Sequence, residues 1–201
     1  MFRKLGTLLA GVAFAFALSF AAPPAISGVI LQDQAIAQWQ IQALEPLGQS
    51  FTAEDPNVLI AFSFSDINLS NPNLPITVNL LLGDGLGGAL VGSVAQLLAP
   101  GLGVPGIVGD FVDFDFSAFN LVVGQSYTAL IEVQNSRWFA NSHRDDLYAG
   151  GQSYVNGMPS GDLRFRVTPV SVSSLPEPAT LTLLGLGLAG LGLAARRRRR
   201  A

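Results

Sequence analysis

The sequence predicts an all-β protein: a single antiparallel β-sandwich, jelly-roll-like, flanked by an N-terminal signal peptide and a C-terminal transmembrane helix. Three observations lead there. The middle of the 201-residue chain divides into short apolar stretches separated by Gly, Pro, Asn and Asp, about eight strands in all with turns between them. No stretch there repeats apolar residues at helical spacing. Two uncharged apolar runs lie at the extremes of the chain, outside that pattern.

At the start, Arg3 and Lys4 precede an apolar run from Leu5 to Phe20, the layout of a secretory signal peptide. Ala35-Ile36-Ala37 is a small-x-small site, giving a signal peptide over 1–37 and Gln38 as the new terminus. The site lies far downstream of the apolar run, so cleavage after Ala22 or Ala25 competes with it, as does an uncleaved anchor.

The middle then reads strand by strand over 38–170. Gly48 to Thr52 leads into the turn Asp55-Pro56-Asn57, and Val58 to Phe64 alternates imperfectly, as a partly buried strand does. Asn68 to Pro75 is a loop. Ile76 to Leu82 is apolar, and Gly83-Asp84-Gly85 with Gly87-Gly88 turns the chain into Ala89 to Leu98. Ala99 to Gly109 holds four glycines and two prolines and reads as a loop. In Asp110 to Phe116 the residues Val112, Phe114 and Phe116 share one face, with Asp113 and Asp115 on the other. Leu121 to Val123 and Tyr127 to Val133 flank a turn at Gly124-Gln125. Asn135 to Asp146 is polar and reads as a loop. Leu147 to Val155 and Leu163 to Val167 flank Asn156-Gly157. Residues 171–175 are a short Ser-containing linker.

Composition narrows the chemistry. The formal charge of −3 conceals an acidic middle: residues 38–175, 138 in number, carry twelve Asp or Glu against four Arg, a net of −8. Phosphate backbones repel such a domain, so nucleic acid is disfavoured as a partner. With no cysteine in the chain, thiol catalysis, thiolate metal sites and disulfides are excluded, and the fold rests on its core.

The end of the chain is the most specific stretch. Pro176-Glu177-Pro178 precedes an uncharged run over 179–195, then Arg196, Arg197, Arg198, Arg199, Arg200 and Ala201. The run makes a helix of roughly 26 Å at about 1.5 Å per residue, the short end of what crosses a bilayer core. The arginines prefer the cytoplasmic side, which leaves everything before the helix outside. The two prolines keep the preceding peptide extended. This tripartite tail, over 176–201, resembles the PEP-CTERM sorting signal. The resemblance implies recognition and cleavage by a membrane exosortase, after removal of the N-terminal segment by signal peptidase. It also implies transient anchoring in the inner membrane and delivery to the cell surface or extracellular matrix. A plain tail anchor is the alternative.

A second resemblance covers the middle. Gln49-Ser50-Phe51-Thr52, Ile76 to Leu82 with Gly83-Asp84-Gly85, Val112 to Phe116, Gly124-Gln125-Ser126-Tyr127, Tyr148-Ala149-Gly150-Gly151 and Gly161 to Arg166 together resemble a jelly-roll module of secreted bacterial proteins, similar to carbohydrate-binding sandwiches. It implies the fold and brings no binding residues with it.

Candidate chemistry is sparse. His143, the only histidine, lies in Ser142-His143-Arg144-Asp145-Asp146, but sequence neighbours rarely adopt triad geometry, and no Gly-x-Ser-x-Gly elbow accompanies it. Asp113 and Asp115 lie roughly 7 Å apart on one strand face, a spacing that suits a carboxylate pair for glycoside hydrolysis and equally a polar outer face. Asp84, Asp110, Asp145, Asp146, Asp162, Asn141 and Asn156 supply the oxygen ligands a structural calcium ion takes, without an Asp-x-Asp-x-Asp-Gly loop; no other cofactor is implied. Trp138, Tyr148 and Tyr154 offer aromatic faces for stacking on a sugar, or else rings that plug the sandwich. The expectation is a non-enzymatic surface or matrix protein, structural or adhesive and linked to extracellular polysaccharide. A dedicated carbohydrate-binding module or a glycoside hydrolase is the alternative.

Overall fold

The computed structural model describes residues 28–104 and 106–170. The predicted apolar run Leu5 to Phe20, the linker 171–175 and the helix 179–195 lie outside these residues. Thirteen strands follow one another. In order they are β1 (Ile30–Gln32), β2 (Ala37–Gln40), β3 (Leu47–Thr52), β4 (Val58–Asp66), β5 (Ile76–Leu82), β6 (Leu90–Gln96) and β7 (Phe111–Asp115). Then come β8 (Ser126–Val133), β9 (Trp138–His143), β10 (Ser153–Val155), β11 (Met158–Ser160), β12 (Asp162–Leu163) and β13 (Phe165–Pro169). Single 3₁₀ turns occupy Gln42–Leu44 and Ser117–Phe119.

All pairings between strands are antiparallel, and they form two sheets. One runs β11-β10-β3-β8-β5-β6. The other is built on β4, which pairs with β13 along Val58–Phe62, with β7 along Leu59–Ser63 and with β9 along Phe64–Asp66. β1 extends it beyond β13, and β2 and β12 join β9. The described residues therefore form an all-β sandwich.

Alternation explains the register. In β5, Ile76, Val78 and Leu80 are buried while Thr77 and Asn79 are only half-buried. A slip by one residue would turn every apolar side chain of β5 outward. Across the interlayer, Leu47, Phe51, Ile76, Val78, Leu80, Ala129 and Ile131 of one sheet meet Ile60, Phe62, Phe64, Phe114, Trp138 and Phe165 of the other. The phenylalanines interlock edge to face, Phe64 on Phe114 at 6.2 Å and 73°, the arrangement favoured by the ring quadrupoles.

Four sequence expectations give way. The stretch Asn135 to Asp146 is not one loop: it contains β9, a central strand whose inward residues are Trp138 and Ala140. Leu121 to Val123 is turn backbone, not strand, and only Ser153–Val155 of the predicted Leu147–Val155 is extended. The domain also begins before Gln38. Ile30 is 5% exposed and pairs with Val167, Gln32 donates to the Leu163 carbonyl, and Asp33 forms an ion pair with Arg164. A cut after Ala37 would remove β1 and sever β2 at its first residue.

Candidate functional site

The polar constellations lie around the edges of the core, and each has a structural occupation. Ser63 and Ser65 alternate with Phe62 and Phe64 in β4 and so point away from the core, yet both are fully buried. The glycine-rich segment before β7 lies across them. Ser63 Oγ donates to the Gly109 carbonyl at 2.6 Å and accepts from Asn141 Nδ2 at 2.8 Å and Arg164 Nη1 at 3.0 Å. Ser65 Oγ donates to Asn141 Oδ1 at 3.1 Å and accepts from Gln38 Nε2 at 2.8 Å. Glycine is what admits this contact: a Cβ on Gly109 would come within 1.8 Å of the Phe64 carbonyl oxygen, and one on Gly103, whose φ is +61°, within 2.8 Å of Ser65 Oγ.

At one end of β4, Asp66 is clasped by Arg137. Nε and Nη2 each stand 2.7 Å from a carboxylate oxygen, and the Gly101 amide adds a third donor at 2.9 Å. Arg137 Nη1 also donates to the Asn71 carbonyl at 2.9 Å, which ties the loop after β4 to β9. Burial pushes the Asp66 carboxyl up, but the guanidinium and the Gly101 amide outweigh it and hold the group below its ordinary value.

Asp162 is a second buried carboxylate, fully enclosed. Gln49 Nε2 donates to it at 3.0 Å and the Leu147 and Tyr148 amides at 2.6 and 2.7 Å. Gln49 Oε1 accepts in turn from the Leu163 amide at 2.9 Å. Three N–H donors thus satisfy the carboxyl oxygens, and they fasten the loop before β10 across the two sheets.

The sequence-predicted sites are dispersed by this architecture. Trp138 is 0% exposed, its indole N–H donating to Asn73 Oδ1 at 3.2 Å, so neither ring face is open for stacking. Tyr148 is half-buried, edge-on to Phe165 at 5.2 Å. Tyr154 is 7% exposed and donates to Asp84 at 2.8 Å. Burial, with that bond to a carboxylate, pushes its phenol up. The three rings serve as core and edge of the sandwich.

Asp113 and Asp115 do share an exposed face. Asp113 is bridged to Arg166 at 2.8 Å over Ala61, the residue opposite both in register. Asp115 is held below its usual range by hydrogen bonds from Ser117, the reverse of what a general acid needs. His143 Nδ1 accepts from the Asp145 amide at 3.1 Å while Ser142 Oγ donates to the Ala37 carbonyl; alternate strand residues point to opposite faces, so no triad forms. Among the described residues no three His, Cys, Asp or Glu side chains come together to hold a metal ion. Asn141 belongs to the serine network, Asn156 occupies the β10–β11 turn at φ 51°, and the Asp162 oxygens are engaged, so the seven calcium candidates do not converge.

The end of the chain leaves the fold in a defined place. The Val170 amide donates to the Asn57 carbonyl at 2.7 Å, and four residues later a family model begins to match. The PEP-CTERM protein-sorting motif matches residues 174–200. The chain carries a PEP-CTERM sorting signal. Pro176, Glu177, Pro178 and Arg196 to Arg200 fall inside the matched span and outside the described residues. The PEP-CTERM signal marks the chain as an exported protein, anchored at its C-terminus before processing by exosortase. Comparison with curated proteins and with solved structures gave no match. Among the described residues no helix is long and apolar enough to cross a membrane.

Proposed function

We propose that the mature protein is a non-enzymatic component of the cell surface or extracellular matrix, structural or adhesive, working alongside extracellular polysaccharide. The observation that carries this reading is the PEP-CTERM motif at 174–200, directly following a closed sandwich. The acidic, cysteine-free composition suits an exported domain that stays soluble by charge and stable by its core. The absence of catalysis is part of the proposal, supported by the structural engagement of Asp113, Asp115, Ser142 and His143. The alternative is a dedicated carbohydrate-binding module, and the burial of Trp138 supports the structural reading over it.

Fractionation of the native cells with intact-mass measurement, with and without the tail from Pro176 onward, tests the reading. It predicts a mature mass lacking both ends, at the surface or in the medium, and mislocalisation without the tail. An intact tail retained in the inner membrane would overturn it. Turnover of any substrate in a polysaccharide panel would overturn the non-enzymatic part.

A further inference from the structure

We propose that the mature protein begins at Gly28, released by a signal peptidase cutting between Ser27 and Gly28, and that its new α-ammonium group pairs with Glu54. The fold limits the cut on the downstream side. β1 supplies a whole strand to β13, buries Ile30 and Gln32, and leads to the Asp33–Arg164 ion pair, so cleavage must precede it. The Gly28 main-chain nitrogen already donates to Glu54 Oε2 at 3.2 Å. Gly28 leaves room beside that oxygen; a Cβ there would stand 2.6 Å away, and the flexible end of Glu54 would have to shift.

The upstream sequence supplies the matching signal. Ala25-Ile26-Ser27 places small residues at the first and third positions before Gly28, the pattern signal peptidases accept. Hydrolysis breaks the Ser27 C–Gly28 N bond; water gives its hydroxyl to the Ser27 carbonyl carbon and a proton to the Gly28 nitrogen. At neutral pH the free amine, with an ordinary pKa of about 7.7–8.0, takes a further proton. A neutral amide donor then becomes a cation facing a carboxylate, the stronger kind of hydrogen bond.

N-terminal peptide mapping of the full chain expressed in its own exporting host tests the assignment. It is read on the protein from whichever fraction holds it, so a failure of tail processing stays distinguishable. Gly28 as the terminus is expected, and Ser27→Arg should abolish that terminus. A terminus at Pro23, Ile26 or Gln38, an uncleaved Met1, or Gly28 persisting in Ser27→Arg overturns it. The ammonium pair has its own readout. A partner raises the folded amine's pKa, so its stabilisation is full below the free value and lost as pH rises through the folded one. The melting-temperature gap between wild type and Glu54→Gln should close on going from about pH 7 to pH 10; a gap unchanged over that range overturns the pair.

Discussion

Burial and pairing act in opposite directions on Asp66, and the pairing prevails. A carboxyl held low in the folded state contributes stability above its unfolded pKa of about 3.9 and loses it as pH falls through the folded value. The difference in unfolding midpoint between wild type and Asp66→Asn is therefore expected to be full at pH 6 and to close well below pH ~4. A difference that persists at the acid end would mean the carboxylate charge is not what stabilises. Trp138 is the second decisive residue. With its ring enclosed, Trp138→Ala should cost about 3–5 kcal/mol in urea unfolding, whereas an exposed binding residue would leave the midpoint in place. The sequence places Trp138 among polar neighbours, which reads as a loop. The partner that permits its burial, Asn73, is 65 positions away, and no local pattern announces a hydrogen bond of that separation.

Among the elements, those whose signal is local were readable. β4, β5, β7 and β8 carry period-two or apolar runs between Gly, Pro and Asn turns, and they stand where those runs do. β9 was hidden because Asn141 on its outward face is buried against Gln38, Ser63 and Ser65 rather than facing water, and Phe139 shares that face, so the strand shows no clean apolar–polar alternation. β1 was hidden for another reason: three residues long, it lies between an apolar leader and a small-x-small site. Its contribution is testable. A chain starting at Gly28 should melt well above one starting at Gln38, since the shorter form loses Ile30, whose truncation to Ala alone is worth about 2–5 kcal/mol. Equal melting temperatures would show β1 to be dispensable. The glycine-rich segment gives a second test. Gly109→Ala must push the chain off the Phe64 carbonyl, with a cost of about 1–3 kcal/mol and faster hydrogen exchange at Asp66 and Gly101, whose amides depend on this segment's position. Exchange unchanged in that variant would mean the segment is free of the strand beneath it.

For the whole molecule, the functional address was legible and the biochemical role was not, because an address is a contiguous motif while a binding surface is assembled from distant strands. The acidic surface makes one prediction of its own: with Asp33 included in the domain, the fold should show no retention on nucleic acid at moderate salt, and salt-sensitive retention would contradict the charge argument. The register of β1 and β13 has a mechanical consequence. Because Ile30 stands opposite Val167, the chain enters and leaves the sandwich side by side at the same end. β13 is gripped on both flanks, by β1 and by β4. While the tail is attached, a tug on Val170 runs along β13 and loads both ladders in shear, all rungs at once, instead of peeling them singly. A domain held by its C-terminus would bear force through a strand paired on both flanks, and the grip on one flank lasts only as long as residues 30–32 remain on the chain.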